Sequence, residues 1–349
     1  HIYVERASRR ITSDAFHMKL GAETIIEDDL FNAILVSFGS FGIIHGVLVE
    51  VEDKFLLEQK MQRVPFDNAM TEAVTKMDFS KIQHHLKYTW NDPQRHLYHF
   101  ELAVNPHDFA FNDPEKGVYM RSMFKVAYRE EYKRIEHATS GFTYGDDTLG
   151  LIQTVLDQVQ AKVGFLNRIL VPQIVNSLFG LAYSRPEDLT GTISETFTNT
   201  RFRGKVFSAA ICLDIKDVVK AIQICLKINE SVKLAGILAF RFVKGNAATL
   251  AFTRFKHSVV MELDGADAAV NHQFYQAVLE SLEAAAIPYT IHWGKLNRIV
   301  DKNRLNYIYG NEKIQQWKKQ RSKVMTHEVQ QIFNNEFMQQ CGLDGYVAC

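Results

Sequence analysis

The chain has 349 residues, 46% of them hydrophobic, and its 40 basic residues are balanced by 40 acidic ones. That length supports two domains with cores of their own, and the even charge gives no footprint for nucleic acid or an acidic membrane. No apolar run reaches the roughly 18 residues a membrane helix needs. The longest candidate, residues 163–183, is interrupted by Asn167, Arg168, Pro172, Gln173 and Asn176.

In chain order, residues 2–6 read as a strand inside a sheet. Asp29 is placed to cap a helix whose apolar positions Leu30, Phe31, Ile34, Leu35 and Phe38 recur at helical spacing. Gly39 and Gly42 then release the chain into a strand over residues 43–51, which ends in the alternation Val47-Leu48-Val49-Glu50-Val51-Glu52. Taken alone, this is also how an ordinary helix-to-strand turn with two glycines looks.

Strand patterns follow at residues 86–90, 96–104 and 118–128. Residues 149–163 and 166–181 read as a helical insertion, and its apolar length suits a bulky or membrane-proximal substrate, or an oligomer interface. The Ser/Thr-rich stretch 184–203 reads as an exposed loop or lid. Strand and helix then alternate over residues 206–213, 218–229, 236–243, 258–263 and 266–286, which predicts a sheet with helices on one face.

Within 236–243 a lone Arg241 interrupts an apolar strand. A guanidinium there must meet a carboxylate, a ligand or solvent, so Arg241 is either a site residue or an edge residue paired with an acid. Cys212, Cys225, Cys341 and Cys349 show no metal spacing, and the first two read as core thiols. A reducing, cytoplasmic setting is the default. His84-His85 and His96-x-x-His99 fall on strand patterns where adjacent or odd-offset side chains face opposite ways, so no metal site is expected. Lys318-Lys319-Gln320-Arg321 reads as a solvated helix face.

The densest chemistry lies in Tyr289-Thr290-Ile291-His292-Trp293-Gly294-Lys295-Leu296-Asn297-Arg298. A His and a Lys three apart cannot point the same way along one strand, so the strand is expected to break at Trp293-Gly294, turning a cation toward whatever lies beside it.

This His-Trp-Gly-Lys run resembles the C-terminal active-site segment of FAD-linked oxidases of the vanillyl-alcohol oxidase / p-cresol methylhydroxylase superfamily. The nearest branch is that of alditol oxidase, aldonolactone oxidases and flavin-linked cholesterol oxidases. The helix-glycine-strand element at residues 28–44 is similar to the family's Leu-Gly-x-x-Gly-Ile-Val. The ending, from Trp317 to Arg321 through Asn334-Asn335-Glu336-Phe337 to Gly342-Leu343, follows the family's order, with Thr326-His327-Glu328 where Asp-Pro-x-Gly is common. The turn before that last element is therefore expected to be helical.

The resemblance implies an α+β chain: the C-terminal part of an FAD-binding α/β domain, with a cap domain of mainly antiparallel sheet and covering helices. Its parts would be residues 1–55 (end of the FAD domain), 56–288 (cap, with the insertion 149–183) and 289–349 (return to the FAD domain). It also implies an upstream segment carrying the pyrophosphate loop, so the chain reads as the C-terminal portion of a longer flavoprotein. That segment would be its partner beside a small-molecule substrate and a possible second copy.

FAD is the implied cofactor. It would be held by Gly39, Ser40, Gly42, Ile43, Ile44, Trp293 and Gly294, with no metal. Lys295 would stabilise negative charge on the reduced ring, against the plainer reading of a surface lysine. His292 would act as base, or orient substrate, or be a satisfied core histidine. Arg241 would face the substrate side of the ring. Asn335 would reach across the pocket or lie on a helix surface. Alditol oxidases carry a Glu two residues before the Arg, where this chain has Ala239. The implied activity is oxidation of a hydroxyl-bearing substrate (alditol, sugar lactone or sterol-like alcohol), electrons passing through FAD to oxygen or another acceptor. The alternative is a non-catalytic binding module or partner subunit.

Overall fold

The computed structural model describes residues 1–134, 164–183, 188–197 and 206–348. The chain divides into two compact units, His1–Glu52 with Gly245–Lys256 and Asn297–Cys349, and Asp53–Lys244 with His257–Leu296.

In the first unit β1 (Ile2–Glu5) and β2 (Glu23–Ile26) pair in parallel. They are joined by α1 (Asp14–Leu20), which Ser13 caps and a left-handed Gly21 ends. Helix α2 (Asp28–Ile34) starts from Glu27 rather than Asp29, so Asp28 and Asp29 both lie in its first turn, where the helix dipole favours them. It stops short of Phe38, whose φ of 51° is left-handed.

Residues 43–51 are not a strand, contrary to expectation. They pair with no strand among the described residues, and Ile43, Val49 and Val51 are 80%, 71% and 90% exposed. Alternation alone does not make a strand when no ladder satisfies its backbone.

The large sheet of the second unit has the order β10-β7-β9-β8-β4-β5-β3-β6, and the registers between its neighbours are antiparallel. Its strands are β3 (Phe55–Val64), β4 (Leu97–Val104), β5 (Val118–Ala127), β6 (Leu189–Gly191), β7 (Val206–Asp214), β8 (Gly236–Lys244), β9 (His257–Ala266) and β10 (Tyr289–Ile291). The architecture is thus a mixed one with a large antiparallel sheet. Residues 86–90 are bend and turn rather than strand, and His84 and His85 lie in a 3-10 turn, Ser80–His85. Tyr289–Ile291, expected to leave the sheet, pairs with β7.

Between these strands run α3 (Asn68–Lys76), α4 (Gly164–Tyr183), α5 (Ile193–Phe197), α6 (Val218–Ser231) and α7 (Ala269–Ala284). Period-2 alternation gives the sheet two different faces. On one, Phe207 of β7 meets Tyr275 of α7, and Met261 of β9 meets Cys225 of α6. Cys212, Cys225 and Cys341 are buried free thiols.

On the other face α4 covers one end. Val171, Val175 and Phe179 recur every four residues and pack on Ala103, Tyr119, Ala235 and Ala266, while Asn105 Nδ2 donates to Asn176 Oδ1 at 2.8 Å. Sheet cover thus accounts for the apolar positions Val171, Val175 and Phe179; residues 149–163 lie outside the described residues. Part of the expected loop 184–203 is regular, as β6 and α5.

The first unit closes with α8 (Lys302–Val324), α9 (His327–Ile332) and α10 (Glu336–Cys341), capped by Asp301, Thr326 and Asn335. The expected helical turn after Met325 is α9. Of the four residues read as a solvated face, Gln320 and Arg321 are buried, because α8 presents them to the rest of its own unit. No helix among the described residues is long and apolar enough to cross a membrane.

A half-buried histidine and a buried glutamate make the sheet unit sensitive to acid. His107 Nε2 lies 2.8 Å from the Leu234 carbonyl and its Nδ1 faces the Asn229 amide, so the neutral ring is fully used. Burial pulls its pKa from 6.5 down to about 4. Its stabilisation is whole above pH 6.5 and is lost as pH falls toward 4. Burial alone would raise the Glu101 pKa, but His99, Arg241 and Arg121 outweigh it and hold the carboxyl at about 2. That contribution is whole above 4.5 and lost as pH falls toward 2. Moving from pH 7 to 4.5 is expected to remove about 2–3 kcal/mol through His107. Urea unfolding of wild type and His107→Gln checks this, since the variant should lack that step and keep the more acidic one.

Candidate active site

Beyond α4, the same sheet face carries a row of alternating charges. It starts where β10 ends. His292 N–H still donates to Ala210 at 3.0 Å, the chain turns out through Trp293 and Gly294, and Leu296 N–H regains the ladder at Ser208, 3.2 Å away. The expected break is therefore an outward turn closed by Lys295 N–H on the His292 carbonyl at 3.3 Å.

From that turn Lys295 Nζ reaches two strands across, to Glu262 Oε1 at 2.8 Å and Asp264 Oδ1 at 3.6 Å. Asp264 Oδ1 also accepts from Ser208 Oγ at 2.6 Å. Arg241 Nη1 lies 2.8 Å from Glu262 Oε2, and its Nε donates to Glu101 Oε2 at 3.3 Å. Glu101 Oε2 also meets His99 Nε2 at 3.1 Å and Arg121 Nη1 at 3.8 Å. Arg121 Nε in turn donates to Gln59 Oε1 at 2.7 Å.

The register explains how such a row fits. Glu262 stands opposite Ala210 on one side and Ala239 on the other, and Ala239 faces Ala103. These small neighbours leave space for the cationic side chains to lie across the sheet. The carboxylates sit low, Glu101 and Glu262 being buried, while the Arg241 side chain above them is 41% exposed.

Burial, and then the Lys295 charge, lower the pKa of His292, while Glu262 opposes the shift. The ring is therefore neutral at pH 7. His292 Nδ1 accepts the Gly294 N–H at 3.0 Å, which puts the ring hydrogen on Nε2. A Cβ at Gly294 would stand 3.2 Å from His292 Cε1, so the imidazole would have to give by a few tenths of an ångström.

The other sequence candidates lie in the first unit. Gly39 and Gly42 adopt φ of 70° and 96°, and a Cβ at either would meet nothing within 4 Å. Backbone conformation therefore accounts for these glycines, and it leaves the backbone uncovered. Ser40 is buried; its hydroxyl donates to Ser37 and its carbonyl accepts Arg321 Nε at 2.9 Å. Trp317 Nε1 donates to Val36 at 2.8 Å, and Phe38 and Phe41 pack edge-on against its ring. Asn335 caps α10 through its Oδ1, and its Nδ2 donates to Phe38 at 3.2 Å. Ile43 and Ile44 are exposed.

No protein-family model matches the chain, and no curated protein does. Among solved structures it is similar to the xylooligosaccharide oxidase from Myceliophthora thermophila C1 in complex with xylobiose, with a TM-score of 0.44 and 9% identity over 86% of this chain and 60% of that one. It is also similar to 6-hydroxy-D-nicotine oxidase from Arthrobacter nicotinovorans, with a TM-score of 0.40 and 12% identity over 86% of this chain and 59% of that one. The chain thus spans about three-fifths of the length of these two oxidases. At these TM-scores the likeness assigns no residue its role.

Sequence reasoning picked Lys295, His292 and Arg241, and the sheet brings these three together. It missed Glu101, Glu262, Asp264, His99 and Arg121. The signal was present for two of them, since Glu101 and Glu262 each follow an apolar stretch within a strand, an anomaly like the one that marked Arg241. Among the described residues no three His, Cys, Asp or Glu side chains are grouped to hold a metal ion. An open cavity of about 390 Å³ in the first unit, between Thr12, Phe16 and Val49, holds none of the candidate residues.

Proposed function

We propose that the chain serves an FAD-dependent oxidase or dehydrogenase that removes a hydride from a hydroxyl-bearing substrate and passes the electrons to oxygen or another acceptor. The observation that carries this reading is Lys295, delivered by the strand break onto a charged sheet face beside Arg241 and His292. FAD, when bound, supplies the two-electron acceptor.

The residues fit such a group. Taken by itself, the first unit leaves open space over Gly39 and Gly42, as the close approach of a diphosphate needs. Trp293, Gly294 and Lys295 would meet the ring. Lys295 holds a cation where negative charge arrives, Arg241 fixes a substrate oxygen, and His292 donates from Nε2 to orient the hydroxyl. A face with this many charged groups suits an alditol or sugar lactone better than a sterol-like alcohol, whose apolar body would leave them desolvated.

A second reading has its own support. The exposed apolar residues of 43–51 suit a chain that pairs with another polypeptide, and such a chain could act as a binding subunit. The visible absorption spectrum of the purified chain, before and after FAD addition and dialysis, separates the two. A retained flavin band supports the oxidoreductase. Loss of the band turns the assignment toward the binding subunit.

A further inference from the structure

Arg321 is 1% exposed, and it brings a full positive charge into the first unit because a guanidinium keeps its proton in a protein. Its Nε donates to the Ser40 carbonyl and its Nη2 to the Gln330 carbonyl, both at 2.9 Å. Nη1 is buried without a hydrogen-bond partner among the described residues. Burial lowers the pKa of the group and the charge of Asp344 opposes that, yet no described carboxylate forms an ion pair with Arg321. A buried cation met only by neutral carbonyls is costly until a charge of opposite sign completes it.

The Ser40 bond leads to the place where such a charge can sit. The peptide that carries the Ser40 carbonyl ends in the Phe41 N–H, and a cation on its oxygen polarises it and strengthens that donor. Neither the Phe41 nor the Gly42 N–H donates to a described residue. Phe38, Gly39 and Gly42 have φ of 51°, 70° and 96°, the kind of turn in which successive N–H groups form a concavity for an anion. A Cβ at Gly39 or Gly42 would meet nothing within 4 Å. No acidic residue occurs between Asp29 and Glu50, so the turn supplies no carboxylate of its own.

Shape alone does not call for this charge. Trp317 already holds the Val36 carbonyl and Asn335 the Phe38 carbonyl, both through neutral donors.

We infer that Arg321 is a positioning residue for a diphosphate: it fixes the Ser40–Phe41 peptide from behind and lends its charge to the Phe41 and Gly42 N–H groups, which hold the anion. The guanidinium stays beneath the backbone and touches no ligand. The inference rests on the oxidoreductase reading only in naming FAD as the carrier of that diphosphate.

The test uses the full chain without flavin, with inorganic pyrophosphate as the probe and calorimetry as the readout. Arg321→Met is expected to weaken pyrophosphate binding about tenfold or more, and Arg321→Lys, which keeps the charge, to recover most of it. Gly39→Asp and Gly39→Asn place side chains of one shape in the open space, and both residue types tolerate a left-handed φ. The Asp carboxylate should answer Arg321 in place of the anion, so Gly39→Asp is expected to melt about 2 °C above Gly39→Asn and to bind pyrophosphate about tenfold more weakly. That pair leaves Arg321 in place, so it decides even where Arg321→Met fails to fold. Gly39→Asp melting no higher than Gly39→Asn, Arg321→Met binding within about twofold of wild type, or no binding by wild type overturns the inference. Competition by FAD identifies the cofactor as the carrier. A chain that binds pyrophosphate in this Arg321-dependent way but retains no flavin keeps the anion site and fails the oxidoreductase reading alone.

Discussion

Lys295→Met is expected to leave the sheet unit folded while slowing flavin reduction by about 10²–10³-fold, the usual cost of losing one preorganised donor to developing negative charge. Lys295 belongs to the outward turn between two rungs of the β7–β10 ladder, so its loss disturbs no strand pairing. Methionine keeps the length and apolar stem of the side chain and removes only the ammonium. Glu262 would retain its contact with Arg241. Stopped-flow bleaching of FAD-loaded protein measures the rate, and circular dichroism melting reports the fold. A rate within threefold of wild type would mean that negative charge is held by something other than Lys295.

Trp317→Ala is expected to do the reverse, costing the first unit about 3–5 kcal/mol of stability. Trp317 is fully buried, and Phe38 and Phe41 both pack on its ring, at centroid distances of 5.8 and 5.2 Å. Truncation also leaves the Val36 carbonyl without its indole donor. These contacts clasp residues 36–42, so flavin retention should fall together with stability. Urea unfolding followed by circular dichroism, with flavin release measured in parallel, checks both halves. A loss below about 1 kcal/mol would show that the turn is held chiefly by Arg321 and Asn335.

Much of the sheet was legible because β4, β5, β7, β8 and β9 are apolar runs bounded by turn residues. Strand β3 escaped, since Glu58, Gln59, Lys60, Gln62 and Arg63 make it look like a polar surface segment. Four of those side chains have partners elsewhere: Glu58 on Tyr88 and Arg129, Gln59 on Arg121, Gln62 on the His85 carbonyl and Arg63 on Asp108. Residues 43–51 failed in the opposite sense. Their alternation is strand-like, but strand formation depends on a neighbour that periodicity cannot reveal.

The same limit governs the site. Lys295, His292 and Gly294 are close in sequence and could be read together. Glu262 and Glu101 meet Arg241 only through the antiparallel registers of β9 and β4 with β8, and no spacing along one strand contains that information. Ala239, read alone, suggested a missing carboxylate. Its rung partner is Glu262.

The turn at Trp293–Lys295 leaves the ladder after His292 and rejoins it at Leu296, so the sheet on either side closes as though the intervening residues were not there. Lys295 is thereby carried on residues that the ladder itself does not use. Substitutions within those three positions can retune charge, reach or hydrogen bonding above the sheet without shifting a strand beneath it. Such a turn can change in sequence while the pairing scheme beneath it stays untouched.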